Sequence, residues 1–84
     1  MGRLPARRRN DAMTLRRIFG ANIRAMRGHR GLSQAAVAEA IGTGRTNVVR
    51  IEAGHTNVTL DTMAMLANTL GVDLADLLAG PLTI

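Results

Sequence analysis

The chain has 84 residues, a length that fits one domain with a modest core and is too short for the two-lobed cleft of a typical enzyme. It contains no cysteine and one aromatic residue, which argues against disulfides and thiolate metal sites and favours helices packed through aliphatic side chains. The formal net charge is +5, and nine arginines but one acidic residue lie among residues 1–30, so the expected partner is a polyanion, either nucleic acid or an acidic membrane surface.

The N-terminal segment, residues 1–12, carries Gly2, Pro5 and an arginine run at 7–9 without periodic apolar residues. This composition predicts a flexible basic arm, whose arginines either lie along a nucleic acid or remain solvated. No apolar run reaches membrane-spanning length and no apolar signal stretch is present, so we expect a cytoplasmic protein without a membrane partner.

The first predicted helix begins at about Thr14. Apolar residues then recur at steps of three and four residues, from Leu15 to Met26, which places them on one face of a helix. Gly28 and Gly31 mark its end.

Two short helices follow, separated by only three residues. Ser33 is a favourable cap for residues 34–41, and Gly44 precedes residues 45–53. A turn as short as 42–44 makes the two helices cross steeply, which predicts a helix-turn-helix. Ala38 supplies the small residue that a close crossing needs, and Gly42 supplies a turn residue that tolerates positive φ. The apolar residues expected to point inward are Val37, Ile41, Val48 and Ile51.

Two further helices are predicted near the C-terminus. Thr59 is placed to cap a fourth helix that Gly71 ends, and Asp73 opens a short fifth helix with Asp76 three residues later. The expected inward side of the fourth helix consists of Leu60, Met63, Leu66, Ala67 and Leu70. The folded domain is therefore predicted at residues 13–80, with the helix-turn-helix at 34–53 and a tail at 81–84.

The order and spacing of these residues resemble the Cro and phage-repressor type of helix-turn-helix domain, also called lambda-repressor-like. The matching positions are Leu32, Ser33, Gln34, Val37, Ala38, Ile41, Gly42, Val48, Ile51, Glu52, Gly54, Val58, Thr59, Leu60, Leu70, Gly71, Val72, Leu77 and Leu78. The resemblance implies an all-α domain of five helices and a sequence-specific regulator of transcription, of bacterial or phage type, that binds double-stranded DNA. Gly44 stands where the family usually has Ser or Thr as the cap of the third helix. Ala36 stands where it usually has Glu in the first turn of the second helix. Both departures weaken the helix caps.

The predicted DNA-reading surface is the outward face of the third helix. The side chains of this face, which fall within an arc of about 140° opposite Val48 and Ile51, are those of Arg45, Thr46, Val49 and Arg50. An arginine there can fork onto guanine and Val49 can touch a thymine methyl group, although both arginines can also bind phosphates alone. The resemblance adds a DNA contact at Gln34. The full predicted set is Arg24, Gln34, Thr43, Arg45, Thr46, Asn47, Val49, Arg50, Thr56 and Asn57.

The resemblance also implies that Arg27 and Glu52 form an ion pair between the first and third helices, with a structural role. A partly buried pair would fix the mutual orientation of the helices, whereas a surface pair would contribute little.

A homodimer is expected, because one small domain offers too few contacts for tight selectivity. The expected self-association surface is the apolar C-terminal end, which consists of Leu74, Leu77, Leu78, Leu82 and Ile84. A repressor, an antitoxin and a restriction-modification controller all remain open, and the alternative to DNA reading is a module whose main partner is a protein. His29 and His55 have no partners at metal-ligand spacing, and no cofactor motif or catalytic arrangement is visible, so we expect neither metal, cofactor nor enzymatic activity.

Overall fold

The structure, a computed structural model, describes residues 11–83, and this range contains five α-helices and no strand. The helices are α1 (Ala12–His29), α2 (Gln34–Ala40), α3 (Arg45–Glu52), α4 (Leu60–Leu70) and α5 (Leu74–Ala79). The predicted all-α class and the order of the helices are confirmed. Residues 1–10 of the predicted arm and Ile84 lie outside the described residues. None of the described helices is long and apolar enough to cross a membrane.

Polar side chains cap the N-termini of three of the described helices. The Ser33 hydroxyl accepts a hydrogen bond from the Ala36 N–H at 3.0 Å, and the Thr59 hydroxyl accepts one from the Thr62 N–H at 3.1 Å. α1 begins two residues before the expected Thr14, because the Asp11 carboxylate caps it. Residues 11 and 12 therefore belong to the folded domain. α5 begins after Asp73 as predicted, but the Asp73 side chain makes no capping hydrogen bond.

One core joins all five helices. Its buried apolar residues are Phe19, Ile23, Met26, Val37, Ala38, Ile41, Val48, Ile51, Leu66, Ala67, Leu70 and Leu77. Two expectations are wrong. Leu60 is 67% exposed, because it is the first residue of α4 and lies at the margin of its apolar face. Leu77 is fully buried, so it belongs to the core and not to a self-association surface.

The C-terminal segment is held to α1 by a buried asparagine. The Asn22 Nδ2 donates to the carbonyl oxygens of Leu77 at 2.9 Å and Gly80 at 2.8 Å, and its Oδ1 accepts from the Leu82 N–H at 3.0 Å. These bonds satisfy the carbonyls at the end of α5, which a short helix leaves unpaired. Asn22 thus joins residues that are more than fifty positions apart.

The close approach of α1 to α3 depends on Gly20. A β-carbon built at Gly20 would overlap the carbonyl oxygen of Ile51 and lie 2.8 Å from that of Glu52. Because no side chain separates the two helices here, the C-terminal end of α3 rests directly on the backbone of α1. Gly20 therefore sets the position of α3 in the fold.

We expect Gly20→Ala to lower the free energy of unfolding by at least about 2 kcal/mol, because the added methyl group forces α1 and α3 apart. Gly28→Ala is the matched control in the same helix, since a β-carbon there meets nothing within 4 Å. The control should stabilise the protein by roughly 0.5–1 kcal/mol through helix propensity. Urea unfolding followed by circular dichroism measures both changes, and equal responses would contradict the role assigned to Gly20.

Candidate nucleic-acid interface

One glycine sets the turn between α2 and α3. Gly42 adopts φ +71°, in the left-handed region that disfavours a β-carbon. The Gly42 N–H donates to the Glu39 carbonyl at 3.2 Å, and the Thr43 N–H donates to the Ala38 carbonyl at 2.9 Å. The last carbonyls of α2 are thus satisfied within the turn, and α3 begins immediately after it, packed against α2.

α3 has one packed face and one open face. Val48 and Ile51 are 0% and 2% exposed and lie in the core. On the opposite side Val49 is 39% exposed, and the side chains of Arg45, Thr46 and Arg50 are exposed as well. The expected division of this helix is confirmed, so its open face offers two cations, a hydroxyl and an apolar contact.

Arg27 and Glu52 form a partly buried ion pair that joins α1 to α3. The Arg27 Nε donates to Glu52 Oε2 at 2.6 Å and its Nη2 donates to Oε1 at 3.2 Å, while Nη1 donates to the Leu32 carbonyl at 2.9 Å. The Glu52 side chain is only 4% exposed, against 18% for Arg27. The pair is therefore partly buried and not a surface ion pair, and each partner compensates the desolvation of the other.

The hydrogen bond with Glu52 raises the pKa of Arg27 above its ordinary value, and burial opposes this effect. Because the pKa of Arg27 is raised in the folded state, the stabilisation is fully present at every pH below the ordinary arginine pKa and is lost only as the pH rises above it. The cation in this pair consequently persists throughout the neutral range.

Gln34 links the ion pair to the open face of α3. Its Nε2 donates to Glu52 Oε1 at 3.0 Å, and its Oε1 accepts a hydrogen bond from Arg45 Nη2 at 3.3 Å. The expectation treated Gln34 as a separate contact to DNA. Its internal contacts were not foreseen, because Gln34 and Glu52 are 18 positions apart and only the folded turn brings them together.

Thr43 and Asn47 also contact each other. The Asn47 Nδ2 donates to the Thr43 hydroxyl oxygen at 3.1 Å, and both side chains are partly buried. The Thr43 hydroxyl hydrogen remains available as a donor, as phosphate binding would require. This bond ties the turn to the first turn of α3.

The flanking candidates lie on other elements. Arg24 is an exposed residue of α1, whereas Thr56 and Asn57 belong to the loop between α3 and α4. Asn57 lines an apolar groove of about 220 Å³ together with Phe19, Met63 and Leu78, among others. Within residues 11–83, no group of three or more His, Asp or Glu side chains is arranged to hold a metal ion.

Three residues with structural roles were missed by the sequence reasoning. Gly20 carries no signal of its own, because a glycine within a helix is otherwise only unfavourable. Asn22 does carry one, since a polar residue at helical spacing from Phe19 stands in the apolar stripe of α1. Arg30 donates from Nε to the Leu70 carbonyl at 3.0 Å and so satisfies the end of α4, a contact that only tertiary structure creates.

Comparisons with known proteins agree with this geometry. A family model described as helix-turn-helix, HTH_3, matches residues 23–77, which is more than half of the chain. The chain is similar to control protein C.SmaI of Serratia marcescens, with 36% identity over 66 residues that cover 79% of each protein. It is also similar to the crystal structure of the restriction-modification controller protein C.AhdI from Aeromonas hydrophila, with 32% identity, a TM-score of 0.74, and coverage of 81% of this chain and 99% of the other.

A third relative is the transcriptional repressor RstR of the cryptic phage CTXphi in Vibrio cholerae. The identity is 36% over 62 residues, which are 74% of this chain. The matched region spans only 56% of the repressor, slightly more than half its length.

Glu52→Gln is expected to lower the free energy of unfolding by about 3 kcal/mol, because it leaves the Arg27 cation partly buried without its counter-charge. For a domain of this size the thermal midpoint should fall by roughly 12 °C or more. Glu39→Gln is the matched control, since Glu39 is exposed on α2. The control should change stability by less than about 0.5 kcal/mol. An unmoved midpoint in Glu52→Gln would show that the pair contributes no more than a surface pair.

Proposed function

The chain belongs to the HTH_3 helix-turn-helix family and is a DNA-binding regulator of transcription, and we propose that it reads a specific operator as a homodimer through the open face of α3. The observation that carries the proposal is the exposed set Arg45, Thr46, Val49 and Arg50 on a helix whose other face is locked into the core. A helix presented in this way fits the major groove, where base edges differ in their donors, acceptors and methyl groups.

The chemistry of the four side chains matches base edges. Arg45 and Arg50 each carry a planar fork of N–H donors, which suits the O6 and N7 acceptors of guanine. Val49 supplies an apolar contact for a thymine methyl group, and the Thr46 hydroxyl can donate or accept. Since each of these groups is exposed, none has to leave the core before binding.

Other candidates are proposed to bind the phosphate backbone. Arg24 on α1 supplies a charge, and Thr43, Asn47, Thr56 and Asn57 supply small polar groups suited to phosphate oxygens. Such contacts fix the register of the protein on the duplex without carrying sequence information. Because DNA is the target, we place the protein in the cytoplasm with the DNA that it controls.

We propose that a second copy of the chain completes the DNA-binding unit. A dimer that binds two DNA half-sites about 34–36 Å apart has a selectivity that one domain lacks. Of the predicted C-terminal set, Leu74, Leu78 and Leu82 pack partly on the core and are half-buried. The apolar groove that Leu78 lines also contains Met63 of α4. Leu60, which is 67% exposed, lies one helical turn before Met63 on α4.

These positions favour a self-association surface that includes the groove and the start of α4. In a two-fold symmetric dimer of this kind, Leu60 of each copy would contact the groove of the other copy. The proposed surface therefore combines the exposed Leu60 with the groove that Met63 and Leu78 line, and no longer consists of the C-terminal residues alone.

Arg45→Ala and Arg50→Ala should each relax the choice of one base, by about tenfold or more for a forked contact. Selection of bound fragments from a random DNA library, with purified protein, measures the preference at every position. Arg24→Ala is the control, because loss of a phosphate contact weakens binding to all sequences and lowers the salt dependence by about one unit. If both arginine variants keep the wild-type preferences and lose only affinity, the readout role fails.

Leu60→Glu should convert the dimer to a monomer, because it places a charge at a surface that must become dry. Folding should be unaffected, since the side chain is 67% exposed. Met65→Glu is the control on the same helix, at a residue 42% exposed and about 140° around the axis. Sedimentation equilibrium at micromolar concentration measures the association. A Leu60→Glu protein that still dimerises would exclude this surface, and a monomeric wild-type protein would exclude the dimer.

A further inference from the structure

We propose that Arg17 binds the DNA backbone, with its guanidinium on a phosphate beside the loop that joins α3 to α4, residues 53–59. The inference rests on the proposed function, because it assumes that the open face of α3 enters the major groove. It adds a binding site on the N-terminal half of α1, outside residues 23–77 that the family model matches and outside the predicted set of contacts. The site consists of Arg17 together with Gly54, His55 and Thr56 of the loop.

The loop after α3 lies directly on the backbone of α1 at Arg17. Gly54 adopts φ +73°, and a β-carbon built there would lie 3.2 Å from the Arg17 Cα and 3.3 Å from its N and Cγ. A residue with a side chain would be strained at this φ and would also press on α1, so the glycine is what allows this contact. Arg17 is consequently held beside the loop by its backbone and by the base of its side chain.

The same loop continues from the open face of α3. The His55 N–H donates to the Arg50 carbonyl oxygen at 3.0 Å, so the loop leaves α3 close to an arginine of that face. Thr56 and Asn57, which are proposed to bind phosphates, follow immediately. When α3 lies in the major groove, the segment that follows it is expected beside the sugar-phosphate backbone at the edge of the groove. Arg17 therefore adds a cation where the protein passes from base edges to phosphates.

The Arg17 guanidinium is available for an anion. The residue is exposed, and its Nη2 donates to the Met13 Sδ at 3.3 Å. A thioether is a weak acceptor, so a phosphate oxygen can replace it at little cost. Within residues 11–83 no carboxylate lies at ion-pair distance from Arg17, since the ion pair formed there joins Arg27 to Glu52. The charge of Arg17 is therefore not neutralised by the described part of the chain.

Arg17 and Arg24 lie on the side of α1 that faces α3. Gly20, whose backbone contacts α3, is three residues from Arg17 and four from Arg24, so the three positions share one face of the helix. Seven residues of helix rise about 10 Å, roughly three times the 3.4 Å axial spacing of phosphates along one strand. The two arginines can therefore bind separate phosphates, and each should make its own contribution to the salt dependence of binding.

The test uses Arg17→Gln, which removes the charge and keeps part of the aliphatic stem. Binding to the selected operator should weaken by about three- to tenfold. The slope of log K against log salt should become shallower by about 0.9 for each copy bound. Base preferences in the DNA selection should stay unchanged, because a phosphate contact carries no sequence information. Arg17→Lys should keep the wild-type slope, since an ammonium group binds phosphate as a point charge.

Arg30→Gln is the matched control, because it removes the same charge from the C-terminal cap of α1. The Arg30 Nε donates to the Leu70 carbonyl oxygen, which holds this guanidinium at the end of α4. Both variants are assayed at a temperature at which their melting curves show folded protein. An unchanged salt slope in Arg17→Gln would overturn the inference. Equal losses in Arg17→Gln and Arg30→Gln would overturn it as well, since they would reflect net charge alone.

Neutral methylphosphonate linkages locate the contact on the DNA. One phosphate of the operator is replaced at a time, and binding of each duplex is measured for wild type and for Arg17→Gln. At the phosphate that Arg17 binds, the neutral linkage should weaken wild type and have no further effect on the variant. At the phosphate that Arg24 binds, it should weaken both proteins equally. If the two proteins respond alike at every linkage, Arg17 binds no phosphate.

Failure of the proposed function has a different signature. If Arg45→Ala and Arg50→Ala both keep the wild-type base preferences, the open face of α3 does not read bases, and the inference falls with the proposal. If these variants relax base preferences while Arg17→Gln keeps the wild-type salt slope, only the inference is overturned.

Discussion

The carboxylate of Glu52 lies where three helices meet, and the arrangement of the helix-turn-helix depends on how its charge is satisfied. It accepts two hydrogen bonds from Arg27 of α1 and one from Gln34 of α2, while its own backbone ends α3. A carboxylate that is so little exposed is tolerated only when donors surround it. The same requirement that makes the group costly to bury therefore fixes the angle at which the three helices can pack.

Packing and electrostatics act on the same contact. Gly20 lets the backbone of α1 approach the carbonyl oxygens of Ile51 and Glu52, and the Arg27 side chain, two turns further along α1, then reaches the carboxylate. A bulkier residue at position 20 would separate the helices and lengthen the ion pair as well. The position of α3 thus depends on the missing side chain at Gly20 and on the satisfied charge of Glu52, neither of which lies on the exposed face of α3.

Much of the fold follows from local rules that can be applied to the sequence. Ser33, Gly42 and Gly71 set helix ends through their own backbone and side-chain preferences, so these boundaries could be predicted to within a residue or two. The two faces of α3 follow from helical periodicity. The errors at Leu60 and Leu77 have a different origin, because burial near a helix end depends on which neighbour covers it, and periodicity carries no such information.

The candidate site shows the same limit more clearly. Periodicity predicted that Arg45 points outward, but the partner that holds it comes from the start of another helix, eleven positions away. An exposed arginine is a poor reader when it samples many rotamers, since ordering it costs part of the binding free energy. In this fold Arg45 donates a hydrogen bond to Gln34, and Gln34 in turn donates one to the buried carboxylate of Glu52. The Glu52 carboxylate is therefore joined through Gln34 to the exposed face of α3 as well as to the core.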